Sequence, residues 1–198
     1  MSAPAALVVS KIIYPEVEKS KTSGDMNIEI KNTSTNAMEA LGDGASDGLK
    51  LAANVGAMLV AFISIVALLN YIFGIFGTSI EQILSIIFKP LAWTMGIPWA
   101  EAGYVGTLMG EKIVFTELIA FGDLQSMISK NQLSERSAII ASYALCGFAN
   151  FGSIGIQLGG IGGIAPQRKK ELAKLITKAM IGGALASWLT ASVAGILI

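Results

Sequence analysis

Residues 51–80 read LAANVGAMLVAFISIVALLNYIFGIFGTSI, thirty positions without one Asp, Glu, Lys or Arg. A helix needs roughly 20 apolar residues to cross the hydrocarbon core of a bilayer, so this run spans one with turns to spare. Residues 137–167 and 179–198 are also free of charge. Over the whole chain of 198 residues, 53% are hydrophobic and 14% charged, well below the roughly 25% charged content of soluble domains. Of the 28 charged residues (14 basic, 14 acidic), 12 fall within residues 1–50. The fold class this predicts is an all-α polytopic membrane protein.

Composition also removes chemistries. With no His, there is no His-based triad, His-metal site or haem His ligand. Cys146, the single cysteine, can form neither an internal disulfide nor a thiolate cluster. Formal net charge is zero, which argues against a nucleic-acid partner held by an overall basic surface. No phosphate-cradling motif appears, and no nucleophile stands beside a base. The chain is therefore expected not to be an enzyme, with no catalytic residue, no metal site and no cofactor bound by its own residues.

The organisation follows the charges. Residues 1–10 are apolar but lack a basic leader and are too short to span. They read as the tail of a membrane helix truncated at its start, so the chain is expected to be the C-terminal part of something longer. Residues 11–48 form a polar connector, ending in the turn-like Asp43-Gly-Ala-Ser-Asp-Gly48, with Ser46 or Asp47 as cap for a helix beginning near Leu49. The region 49–198 divides into a spanning helix (49–77), an interfacial helix (79–97), a re-entrant helical hairpin (100–129), a broken helix (137–164) and a final spanning helix (171–198). The interfacial reading rests on Trp93, Trp99 and interspersed polar residues. The hairpin reading rests on Glu111, Lys112, Glu117 and Asp123, which scatter around a helix and are costly in a lipid-facing span, whereas backbone buried in protein at membrane depth tolerates irregularity. The broken helix follows from its glycines, with Asn150 and Ser153 near the middle of the run, the pattern of a discontinuous transporter helix. Arg168, Lys169, Lys170, Lys174 and Lys178 place the preceding loop in the cytoplasm. Alternation then puts residues 10–50 inside, and the Trp-rich connector and the C-terminus outside.

Glu117 is the foremost candidate for chemistry. A carboxylate among Phe115, Leu118, Ile119 and Phe121 requires water, a cation or hydrogen-bond donors; it suits a polyol or a coupling proton, and a structural pairing with Lys112 is the alternative. Asn150 and Ser153 offer donors and acceptors that, with Glu117, suit a vicinal diol, and Phe148 or Phe151 suits a planar ring. Equally, Asn and Ser bridge membrane helices and Phe packs. The string Leu158-Gly-Gly-Ile-Gly-Gly163 lacks the context of a nucleotide loop and reads as a flexible helix end or a packing surface.

Three stretches, Met1-Ser-Ala-Pro-Ala-Ala-Leu7, Gly110-Glu-Lys-Ile-Val-Phe-Thr-Glu-Leu-Ile-Ala-Phe121 and Ala144-Leu-Cys-Gly-Phe-Ala-Asn-Phe-Gly-Ser-Ile-Gly155, resemble the C-terminal half of the concentrative nucleoside transporter family. The family signature runs Gly-x-Lys, three residues, then Asn-Glu-Phe-Val-Ala. Gly110, Lys112, Glu117 and Ala120 match it, while Thr116, Leu118 and Ile119 depart from it. The resemblance implies sodium- or proton-coupled nucleoside uptake, with uridine-like substrates, by a homotrimer in the inner (cytoplasmic) membrane. It implies that Glu117, Asn150 and Ser153 bind ribose and that Phe148 lines the same site; Thr116, which replaces the family's Asn, and Lys112 are candidate supporting residues. The coupling-ion site would lie in the family's N-terminal half. The rival expectation is a membrane structural or assembly subunit whose buried polar residues hold helices together.

Overall fold

The computed structural model describes residues 2–17 and 36–198, and among these the chain is helical with no strand. Eight α-helices follow in order: α1 Ser2–Ile13, α2 Ala37–Ile75, α3 Ile80–Thr94, α4 Trp99–Val114, α5 Glu117–Ser129, α6 Glu135–Leu145, α7 Phe151–Ile164 and α8 Lys169–Leu197. Among the described residues, α2 and the stretch Pro166–Leu197 are long and apolar enough to cross a membrane.

Helix α2 departs from the sequence expectation at its start. It begins at Ala37, where Asn36 caps it by accepting the N–H of Glu39 at 2.9 Å. The turn-like Asp43–Gly48 stretch is helical. No neighbour lies within 4 Å of where a Cβ would stand on Gly42, Gly44 or Gly48, so no packing interrupts the helix there. The anticipated connector over 11–48 is thus partly helix, and its residues 18–35 lie outside the described residues. At the other end Asn70 organises the turn into α3: its Oδ1 accepts from Ile80 N at 3.0 Å and its Nδ2 donates to Glu81 Oε1 at 2.6 Å.

In lipid, apolar burial gives no drive for helices to associate, so close packing must do it. The helices meet accordingly through small residues. On α4, a Cβ on Gly106 would stand 2.8 Å from the Ser85 carbonyl oxygen, and one on Gly110 would stand 2.9 Å from that of Glu81. Helices α3 and α4 therefore touch backbone to backbone. Helix α7 meets α2 in the same way at Gly155, and Gly195 of α8 lies directly against the Met95 carbonyl. Arg136, in the first turn of α6, donates to Gly195 O at 2.5 Å and to Ile198 O, tying α6 to the end of α8.

The buried core runs through α4, α6 and α8, with Leu108, Met109, Ile140, Leu145, Ala184 and Trp188 among its members. Phe88 of α3 meets Trp188 with ring centroids 5.2 Å apart. Helix α2 stands outside this core; Val66 is its only buried residue among those described.

Candidate functional site

Two of the breaks between helices lie beside the core, after α4 and after α6. At the first break, α4 ends at Val114 and α5 starts at Glu117, with Phe115 capping α4 and Thr116 extended after it (φ −149°, ψ 158°). Thr116 makes no side-chain cap bond, so its hydroxyl does not serve the first turn of α5. At the second break, α6 ends at Leu145 and α7 starts at Phe151. Gly147 lies there with φ +136°, in the region that disfavours side chains. A Cβ on it would also run into Ser187 Oγ of α8.

Asn150 closes the second break. It accepts from Ser153 N at 2.7 Å, while the Ser153 hydroxyl accepts from Asn150 N at 3.2 Å and donates to Asn150 O at 2.6 Å. This reciprocal capping box satisfies two otherwise orphaned backbone donors of α7. Both residues are buried. With its Oδ1 occupied, the Asn150 amide has a fixed direction, and its Nδ2 donates to Glu117 Oε2 at 3.2 Å.

The Glu117 carboxylate therefore sits at the first residue of α5 and is bonded to the cap of α7. Helix N-termini favour anions because their N–H dipoles point outward unpaired. Two such ends converge on one carboxylate, which explains how a charge is held among apolar neighbours. Glu117 is only partly buried, and Oε1 takes no donor from the described residues, leaving it open to a ligand.

Lys112 plays a different part from the partner the sequence offered for Glu117. It is fully buried, and its ammonium donates to the Ala144 carbonyl at 2.9 Å. A cation on the last carbonyls of α6 complements the negative end of that helix. Among the described residues no ion pair joins Lys112 to Glu117. Of the four scattered charges, Lys112 turns to α6 and Glu117 to α7, while Asp123 is exposed and lies near the partly buried Glu111.

The two phenylalanines also divide. Phe148 is 53% exposed beside the break, whereas Phe151 packs against the core. The structure therefore brings Glu117, Asn150 and Ser153 together, keeps Thr116 adjacent, and places Lys112 behind them. Ser187 had no signal of its own in the sequence, since it is one of several small polar residues in the last apolar run.

Comparison with known proteins points the same way. Residues 1–195 match the family model described as Na+ dependent nucleoside transporter C-terminus. The chain is 43% identical over its whole length to the uncharacterized transporter YutK of Bacillus subtilis, covering 50% of that protein. It is 40% identical to the nucleoside permease NupC of Helicobacter pylori, covering 49% of it. Among solved structures, a substituted CNTnw in an outward-facing state superposes with a TM-score of 0.87 at 36% identity, over 98% of this chain and 48% of that one. The chain thus spans about half the length of these relatives.

Proposed function

The chain belongs to the Na+-dependent nucleoside transporter family, and from that premise we propose that it supplies the ribose-binding half of a cation-coupled nucleoside importer working by alternating access. The observation that carries this is the Glu117 carboxylate held 3.2 Å from the Asn150 amide where two helix N-termini meet. A ribose diol offers two O–H donors, and a carboxylate accepts both through charge-assisted bonds that a neutral side chain matches less well. Asn150 donates from one side. The Ser153 hydroxyl, whose proton and one lone pair are engaged in the capping box, retains a second lone pair for a sugar hydroxyl. Phe148, exposed at the same break, covers the ring.

In this reading α4 and α5 form a re-entrant hairpin, α6 and α7 form a broken helix, and α3 lies in the interface. Separating the carboxylate from the amide, or closing both on the sugar, opens or shuts one side of the site. Substrates are uridine-like nucleosides, the assembly is a homotrimer, and the membrane is the inner (cytoplasmic) one. The coupling ion, sodium or proton, is assigned to the part of the relatives' length that this chain does not span.

The test is uptake of labelled uridine into vesicles under imposed sodium or proton gradients, using the full-length protein. Glu117→Gln should lower uptake by about a hundredfold, as expected from two charge-assisted bonds of roughly 1.5 kcal/mol each, while insertion and assembly persist. Asn150→Ala should weaken uptake of uridine more than that of 2′- or 3′-deoxyuridine. Equal losses on every analogue would remove the ribose assignment. Failed assembly of Glu117→Gln would instead favour the structural-subunit reading.

A further inference from the structure

A second cavity lies far along α7 from the capping box. It measures about 220 Å3 and is walled by Asn54, Ala57 and Met58 of α2, by the α7 end from Leu158 to Gly163, and by Lys169 at the start of α8. Glycine makes the space: no neighbour lies within 4 Å of a Cβ position on Gly163, and the methylenes of Lys169 lie 3.5–3.7 Å from that of Gly162.

The polar groups around this cavity are of two kinds. Lys169 joins no ion pair among the described residues, whereas its neighbour Arg168 is engaged with Glu171 through both Nε and Nη2. Lys170 and Lys174 lie close by in sequence, adding positive charge. Against these cations stand acceptors. Pro166, four residues beyond Gly162, has no N–H to give the Gly162 carbonyl, so the last turn of α7 ends with unspent carbonyl capacity. The Asn54 amide adds an acceptor and donors. From Ala57 and Met58 the same face of α2 continues through Ala61 and Ile65, both exposed and apolar, along the membrane direction.

We propose that this cleft binds an anionic phospholipid with a hydroxyl-bearing headgroup, such as phosphatidylglycerol. Its phosphate pairs with Lys169, its headgroup hydroxyls donate to the α7 carbonyl end and Asn54, and an acyl chain lies along the exposed apolar face of α2. The site lies at the end of the helices where the basic cluster places the cytoplasmic face, and basic pockets between membrane helices on that side select anionic headgroups. A free phosphate would satisfy Lys169 but leave the apolar face of α2 uncovered.

Native mass spectrometry of the full-length protein in detergent, titrated separately with phosphatidylglycerol, phosphatidylcholine and glycerol 3-phosphate, tests this. Phosphatidylglycerol should be retained at concentrations about fivefold or more below phosphatidylcholine, the size of one lysine's contribution near a membrane surface. Lys169→Gln should remove that preference. Gly163→Leu, which keeps every charge and fills the cavity, should reduce retention of phosphatidylglycerol as well. Lys170→Gln, outside the cavity wall, should change it less. Equal retention of the two lipids, or variants that behave like wild type, would overturn the proposal. Equal competition by glycerol 3-phosphate would overturn the lipid as the source of the phosphate. Because binding is read without transport, the nucleoside reading stands or falls separately.

Discussion

The two helix breaks do opposite things with their polar groups. At Asn150 every capping contact is made: the cap bonds Ser153 in both directions and directs one of its two amide N–H groups to Glu117. At Thr116 the cap makes no side-chain bond, and the first residue of the new helix is the carboxylate itself. One break is closed by its own sequence, and the other leaves its key group underused. A binding site benefits from both, since a fixed donor defines direction while a free acceptor is available to the ligand. The contrast also locates cost: the second break needs Gly147 at positive φ and a buried lysine behind it, whereas the first turns at Phe115 (φ −103°, ψ −101°) and continues through an extended Thr116.

That comparison can be broken most severely at Gly147. Gly147→Ala places a Cβ against Ser187 in a backbone conformation L residues avoid, and should destabilise the protein by about 2–3 kcal/mol. Thermal unfolding in detergent measures this, and Gly147→Ala combined with Ser187→Gly should recover the part due to the collision but not the part due to φ.

Lys112→Met comes next. Methionine fills similar volume, but the buried Ala144 carbonyl loses its donor, at a cost of about 1–3 kcal/mol. Hydrogen exchange should increase at the end of α6 and leave α5 unchanged. Faster exchange at the start of α5 would mean that Lys112 serves Glu117 after all.

Ser153→Ala removes half of the capping box. The loss should be about 1 kcal/mol of stability, together with a raised KM for uridine, because the hydroxyl lone pair offered to the sugar is lost while the Asn150 amide stays held by Ser153 N. Lost stability with an unchanged KM would instead mark the hydroxyl as a capping group alone.

The smallest effect is expected at Thr116→Asn, which supplies a better capping side chain to α5 and should add a few tenths of a kcal/mol to about 1 kcal/mol. It sharpens the comparison by making the first break resemble the second. Transition midpoints in denaturant would show the gain.

Much of this arrangement was legible in the sequence, for physical reasons. Charge-free runs mark elements that lie in lipid, so α2, α7 and α8 appear in outline. Intramembrane polar residues are few enough that Glu117, Asn150 and Ser153 stand out individually. What the sequence hid were pairings set by distance. Lys112 and Glu117 are near in sequence and invite an ion pair, yet the ammonium turns to a helix end 32 residues away. Asn150 and Ser153 look like two ligand groups, but their spacing also makes them a cap and its reciprocal partner. The start of α2 was obscured because glycine and aspartate between 42 and 48 suit a turn and a helix alike when nothing packs on them. Only the Asn36 cap, distant from the apolar run, distinguishes the two.

The contact between α3 and α4 carries a mechanical consequence. With Gly106 and Gly110 pressed on the Ser85 and Glu81 carbonyls, the two backbones touch directly, and the Ser85 and Thr107 hydroxyls bond at 3.0 Å across the same contact. Displacement of one is transmitted to the other without slack, and the pair acts as a beam with Glu117 near its far end. A short chemical crosslink joining α3 to α4 should therefore be silent in any cycle the protein performs. One joining α2 to α7, which pack along the stretch from Gly152 to Gly160, would act as a brake.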